Sequence, residues 1–144
     1  MTTNIKMGFE GQIFFSATPG ATAATLLQNV KDANYNLEVE KGNTTVRGDG
    51  TAPPIETEDV TIRKVTIDFT MIKDTTDTAL EALLTALYAG TGVAIRMKDY
   101  SAGKGFDGDC TGTVGRGKPL NGEQTLQINL TPSRSYGRAP QLYV

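Results

Sequence analysis

The 144-residue chain contains no histidine and no tryptophan, and a single cysteine, Cys110. Without histidine, Ser-His-Asp and Cys-His catalysis are excluded, as are the usual zinc ligand sets. One cysteine excludes a disulfide framework and marks Cys110 as a small buried hydrophobe. No run approaches 18 apolar residues, so no membrane-spanning helix is expected. The first nine residues hold one lysine and no apolar block, so no secretory signal is expected there. The net charge of −2 and the lack of a basic patch argue against duplex nucleic-acid binding.

What is present is turn-rich and strand-rich. Sixteen glycines accompany 38% hydrophobic and 21% charged residues. A chain of this length can bury about 70% of its unfolded surface in one core. We expect a single domain over residues 1–144.

The periodicity is mostly that of strands. Phe9, Gly11, Ile13 and Phe15 share one face of a strand over 9–16, followed by a loop over 17–25. Tyr35, Leu37 and Val39 alternate with Asn36, Glu38 and Glu40. Residues 41–58 hold three glycines and two prolines, and read as a long loop at a hairpin tip. The clearest strand covers 59–73. Val65, Ile67, Phe69 and Met71 line one face, and Thr66, Asp68 and Thr70 the other. Val60 and Ile62 have the opposite parity, which predicts a β-bulge at Arg63-Lys64. So long a segment is expected to project beyond the body of the domain.

A helix is expected over 78–89. Thr78 and Glu81 match a capping box, Leu80, Leu83, Leu84 and Leu87 form an apolar stripe, and Gly90 is the stop. Strands follow at Val93–Met97, over 109–117 and at Leu126–Leu130, where Gln127, Asn129 and Thr131 form the polar side and Pro132 ends the run. The pattern predicts a mainly β, α+β fold: an antiparallel β-sandwich or barrel with one packed helix and a long projecting β-hairpin loop.

Several motifs have a plain structural reading. Gly103 to Gly108 matches G-x-G-x-x-G, but strand rather than helix sequence follows, so a hairpin loop is expected. Asp107 and Asp109 lack the remaining ligands of a calcium loop. Carboxylates such as Asp68 and Glu123 carry no signature of a glycosidase pair. Arg47-Gly48-Asp49 is the adhesion tripeptide, displayed on a loop, and an extracellular binding module is one alternative. A tight turn, with Gly48 and Gly50 supplying positive φ, accounts for it more simply. No catalytic, metal or cofactor site is expected.

A long arm with unpaired strand edges is an aggregation hazard unless it is used, and its natural use is pairing with another copy. The glycine- and proline-rich loop, "VTIDFTMIKD" leading into "ALEALLTALYAGTGVAIRM", and "GKPLNGEQTLQINLTPS" before "GRAPQLYV" together resemble the tail tube (major tail) proteins of long-tailed bacteriophages. Type VI secretion tube proteins are the related alternative. The resemblance implies a non-enzymatic subunit of the virion tail, made in the bacterial host cytoplasm. It implies homo-oligomeric, hexameric rings that stack into a hollow tube with other tail proteins. DNA passes through without specific binding, and no membrane or cofactor is involved. The loop, with Lys41, Arg47, Asp49, Glu56, Glu58 and Asp59, would reach the next ring and meet Arg134 and Arg138 of the C-terminal arm. Thr66, Asp68, Thr70, Gln127 and Asn129, together with Thr131, would face the lumen, where neutral or acidic groups avoid gripping phosphates.

Overall fold

The structure, a computed structural model, describes residues 5–48 and 50–144. After a short 3-10 turn at Gly8–Glu10, seven strands and one helix follow: β1 (Gln12–Ser16), β2 (Thr25–Leu26), β3 (Val30–Asn43), β4 (Glu58–Ile72), α1 (Thr78–Tyr88), β5 (Val93–Lys98), β6 (Asp107–Gly117) and β7 (Thr125–Pro132). The strands form one antiparallel sheet in the order β2-β1-β5-β6-β7-β4-β3. The expected mainly β fold with one helix is therefore observed.

The sheet is rolled, and the chain shows why. Its two outermost strands, β2 and β3, are separated by only 27–29, a span of at most about 14 Å. Seven strands laid flat would be about 29 Å across. Leu27 N–H donates to the Ile13 carbonyl at 2.9 Å, and Ile72 N–H donates to the Asn29 carbonyl at 2.9 Å. One short crossing thus ties both edges together and curls the sheet into an open barrel.

The core fills the concave side. Val65, Ile67, Phe69 and Met71 of β4 are buried with Leu126, Ile128 and Leu130 of β7, Val93 and Ile95 of β5, and Phe106. The leucine stripe of α1 closes this core, with Leu80 and Leu83 fully buried. The helix begins one residue earlier in its cap than the sequence suggested. Asp77, not Thr78, is the N-cap, and its Oδ1 accepts from Leu80 N–H at 3.2 Å. Glu81 pairs instead with Lys73. Gly90 ends the helix at φ +76°, with Gly90 N–H to Leu87 and Thr91 N–H to Ala86 closing a Schellman turn.

Other boundaries moved for local reasons. Phe9 and Gly11 lie outside β1, because Glu10 accepts from Met7 N–H at 2.7 Å and winds the 3-10 turn. β3 runs far longer than its alternation indicated, since β4 pairs with it along nearly its whole length. The bulge falls at Thr61 rather than Arg63-Lys64: Glu40 pairs with Ile62 and Lys41 with Val60. Thr61 Oγ1 donates to the Glu40 carbonyl at 3.1 Å, which holds the extra residue. A second irregularity lets Lys31 out of register at the start of β3.

Candidate functional site: a polar sheet face and a projecting ribbon

Strand pairing brings the sequence-predicted polar residues onto one face. Asp68 lies opposite Asn129 and Thr70 opposite Gln127 across β4 and β7. On one side, β3 adds Asn34 beside Asp68, Asn36 beside Thr66 and Asp32 beside Thr70. On the other side, β6 adds Thr113 beside Asn129 and Thr111 beside Thr131. This is the convex face of the sheet, because the alternate residues of the same strands are buried in the core with α1. Asp32, Asn34, Asp68, Thr70, Gln127 and Asn129 line a shallow groove of about 210 Å³ on it.

The charge of this face is one-sided. At its centre, around Asp68 and Asn129, the ionisable side chains are the carboxylates of Asp32 and Asp68; Glu38 and Glu40 follow outward on β3, and Asp107 and Asp109 on β6. Lysine enters further out, at Lys64, which lies 4.0 Å from Glu40. Lys31, at the foot of β3, is hydrogen-bonded to Glu123 at 2.8 Å. That bond raises the Lys31 pKa above its usual value and lowers that of Glu123. Sequence reasoning found the β4 and β7 members of the face. It missed Asn34, Thr111 and Thr113, whose strands interleave glycine or charge and show no clean alternation.

The expected arm is present and differs in makeup. β7 pairs with β4 only over Ile67–Ile72, so beyond Thr66 the β3–β4 pair continues as a two-stranded ribbon. From Leu37 to Asn43 it extends about 20 Å. Lys41 and Glu58, expected in the loop, belong to this ribbon together with Asp59 at the start of the expected strand, because pairing persists to Asn43 opposite Glu58. The loop itself covers 44–57, closed by Thr44 N–H to the Thr57 carbonyl at 2.9 Å. Arg47 and Glu56 are exposed in it, Gly50 has φ +91°, and Asp49 lies outside the described residues.

The C-terminal segment also departs from expectation. Arg134 is exposed, but Arg138 is engaged within its own chain. Its guanidinium donates to Asp107 at 2.8 Å and lies 3.6 Å from Asp109, a fully buried carboxylate. Asp109 also accepts from Gly20 N–H at 2.9 Å. A buried carboxylate requires such a partner, so Arg138 is not available to a second copy. The segment then pairs with the start of β6, through Gln141 with Asp107 and Val144 with Gly105. The glycine run before β6 serves packing: a Cβ at Gly105 would run into the Met97 carbonyl.

Neither the profiles of known protein families nor curated protein sequences match this chain. Solved structures do match in fold. The chain resembles the tail of an empty gene transfer agent (GTA) particle, refined helically with C6 symmetry, at TM-score 0.74 and 13% identity over 96% of this chain and 98% of that one. A protein of the native GTA virion matches at TM-score 0.70 and 12% identity, with the same coverage. The SPP1 tail tube matches at TM-score 0.66 and 12% identity, over 96% of this chain and 80% of that one. The fold is therefore the one found in these tail assemblies.

Proposed function

We propose that the chain is a tail tube subunit. Copies form rings, six per ring as in the sixfold GTA tail, and the rings stack into the hollow tube of a phage-like virion tail through which DNA passes. The observation that carries this reading is the convex polar face. It is broad, polar, free of arginine and lysine at its centre, and backed by a buried apolar core.

A conduit for DNA must let phosphates move past. Each lysine or arginine contact would add a salt-dependent grip, whereas Asp68, Asp32 and neutral amides and hydroxyls add none. Thr66, Asp68, Thr70, Gln127, Asn129 and Thr131 are the residues we place on the lumen. Loop 44–57 is the part we place against the adjoining ring, with Glu56 and Arg134 as the charges that meet there. An exposed ion pair contributes only about 0–1 kcal/mol, so strand and apolar contacts carry the assembly. The role is structural, and its partners are further copies and other tail proteins.

Thiol protection tests the assignment of the lumen. Asn129→Cys should be labelled in assembled tubes by a small maleimide, yet resist a 5-kDa polyethylene-glycol maleimide. Both reagents should react with the isolated subunit. Equal labelling by the bulky reagent in tubes and subunits would place this face outside.

A further inference from the structure

The tip of the β6–β7 hairpin carries a reactive dipeptide. Residues 118–124 join Gly117 to Thr125, and within them Asn121 is followed by Gly122. The far end of this loop is anchored: Lys31 donates to Glu123 at 2.8 Å, and Lys73 N–H to the Gln124 carbonyl at 3.0 Å. Residues 118–122 are all exposed. No hydrogen bond of the described residues engages the Asn121 carboxamide or the Gly122 N–H.

An asparagine carboxamide is open to attack by the backbone nitrogen of the next residue when that nitrogen is unhindered and its backbone can turn. Glycine allows both, having no Cβ and the widest backbone freedom. The other six asparagines precede isoleucine, valine, tyrosine, leucine or threonine. Of these, Asn34, Asn36, Asn43 and Asn129 are also held in β3 and β7. Asp107-Gly108 has the related sequence, but β6 and the 2.8 Å bond from Arg138 fix it in place.

We propose that Asn121-Gly122 is a site of spontaneous deamidation in the folded protein. The Gly122 nitrogen loses its proton to solvent base and bonds to Asn121 Cγ. The Cγ–Nδ2 bond breaks, ammonia leaves, and a cyclic succinimide remains. Water then opens either carbonyl of the ring, giving aspartate or isoaspartate at position 121. Water is the only co-reactant, and nothing is oxidised or reduced. The net charge moves from −2 to −3. The new carboxylate stands close in sequence to Glu123 and adds negative charge beside its ion pair with Lys31. The isoaspartate product also lengthens the main chain of the turn by a methylene. The charge and shape of this corner of the molecule therefore change with its age.

Ageing of the purified chain in warm, mildly alkaline buffer tests this, read by isoelectric focusing and by peptide mapping with mass spectrometry. An acidic band should grow with time, and the map should place the exchanged amide at Asn121. Gly122→Ala should slow the reaction roughly tenfold or more, since a Cβ hinders the attacking nitrogen. The turn accommodates that alanine, because the Gly122 backbone is not left-handed and its Cβ would meet only Pro119, at 3.4 Å. Circular dichroism melts matching the parent show that the variant folds. A parallel sample in urea separates a site of the folded chain from one opened only by unfolding. Comparable rates in buffer and urea support the proposal. Reaction in urea alone, an exchanged amide at another residue, an unchanged charge pattern, or equal rates for the parent and Gly122→Ala would overturn it. Isomerisation at Asp49-Gly50 alters neither charge nor mass, so it does not imitate the result.

Discussion

The charged residues inside this protein hold its own ends together. Asp109 is fully buried beside Cys110 and balanced by Arg138 from the far end of the chain. Removing that cation strands a buried carboxylate, so Arg138→Ala should lower stability by about 3 kcal/mol or more in urea unfolding. Arg138→Lys should recover only part, because one ammonium cannot span Asp107 and Asp109 as a guanidinium does. A loss within 0.5 kcal/mol for Arg138→Ala would contradict the assignment. Cys110 gives a pH signature. Burial, and then the neighbouring Asp109 charge, push its thiol from 9.0 up to about 12. The unfolded chain therefore releases this proton first. The stabilisation is complete below pH 9 and is lost progressively between pH 9 and 12, at up to about 1.4 kcal/mol per unit. Cys110→Ala should show a shallower decline of stability than the parent in that window. Identical slopes would show that the thiol does not titrate as argued.

At the scale of elements, legibility followed periodicity. The buried residues of β4 and β7 and the leucine stripe of α1 could be read directly, because each alternates or recurs against an uninterrupted polar face. β2 could not, since two residues carry no period, and its position is set by pairing with Phe14 and Phe15. The length of β3 was hidden for a related reason. Its exposed outer half is stabilised by the partner strand, not by a buried face. The bulge was visible as a parity switch, but Thr61 was chosen by its hydroxyl contact to Glu40. The polar face was half legible for the same reason: Asn129 and Asp68 stand on clean strands, whereas Thr113 stands among glycines. Arg138 was misplaced because its partners are near in space and 29 to 31 residues distant in sequence. The arm yields a prediction at this scale. Replacing 45–56 by Asn-Gly makes a two-residue hairpin turn that Thr44 and Thr57 already close. The shortened chain should melt within about 4 °C of the parent, yet fail to stack into tubes. Tubes formed at the parental rate would exclude loop 44–57 from the junction between rings.

For the whole molecule, one asymmetry organises the account. The barrel has a buried concave side covered by α1 and a convex side that is polar and lacks cations around Asp68 and Asn129. An arm projects from the body, and a recess lies open where the rolled sheet does not close. A subunit that joins its neighbours through two different surfaces builds rings or filaments rather than closed pairs, which is the assembly proposed above. The likeness in fold to GTA and SPP1 tail structures spans 96% of the chain. The central claim is assembly into a hollow tube. Negative-stain electron microscopy of concentrated purified protein, taken with its mass in solution, tests it most directly. The account predicts sixfold rings or hollow tubes with a central channel, accompanied by a mass at multiples of six subunits. A monomeric mass and featureless fields at every concentration, including after addition of preformed tail tips, would contradict it.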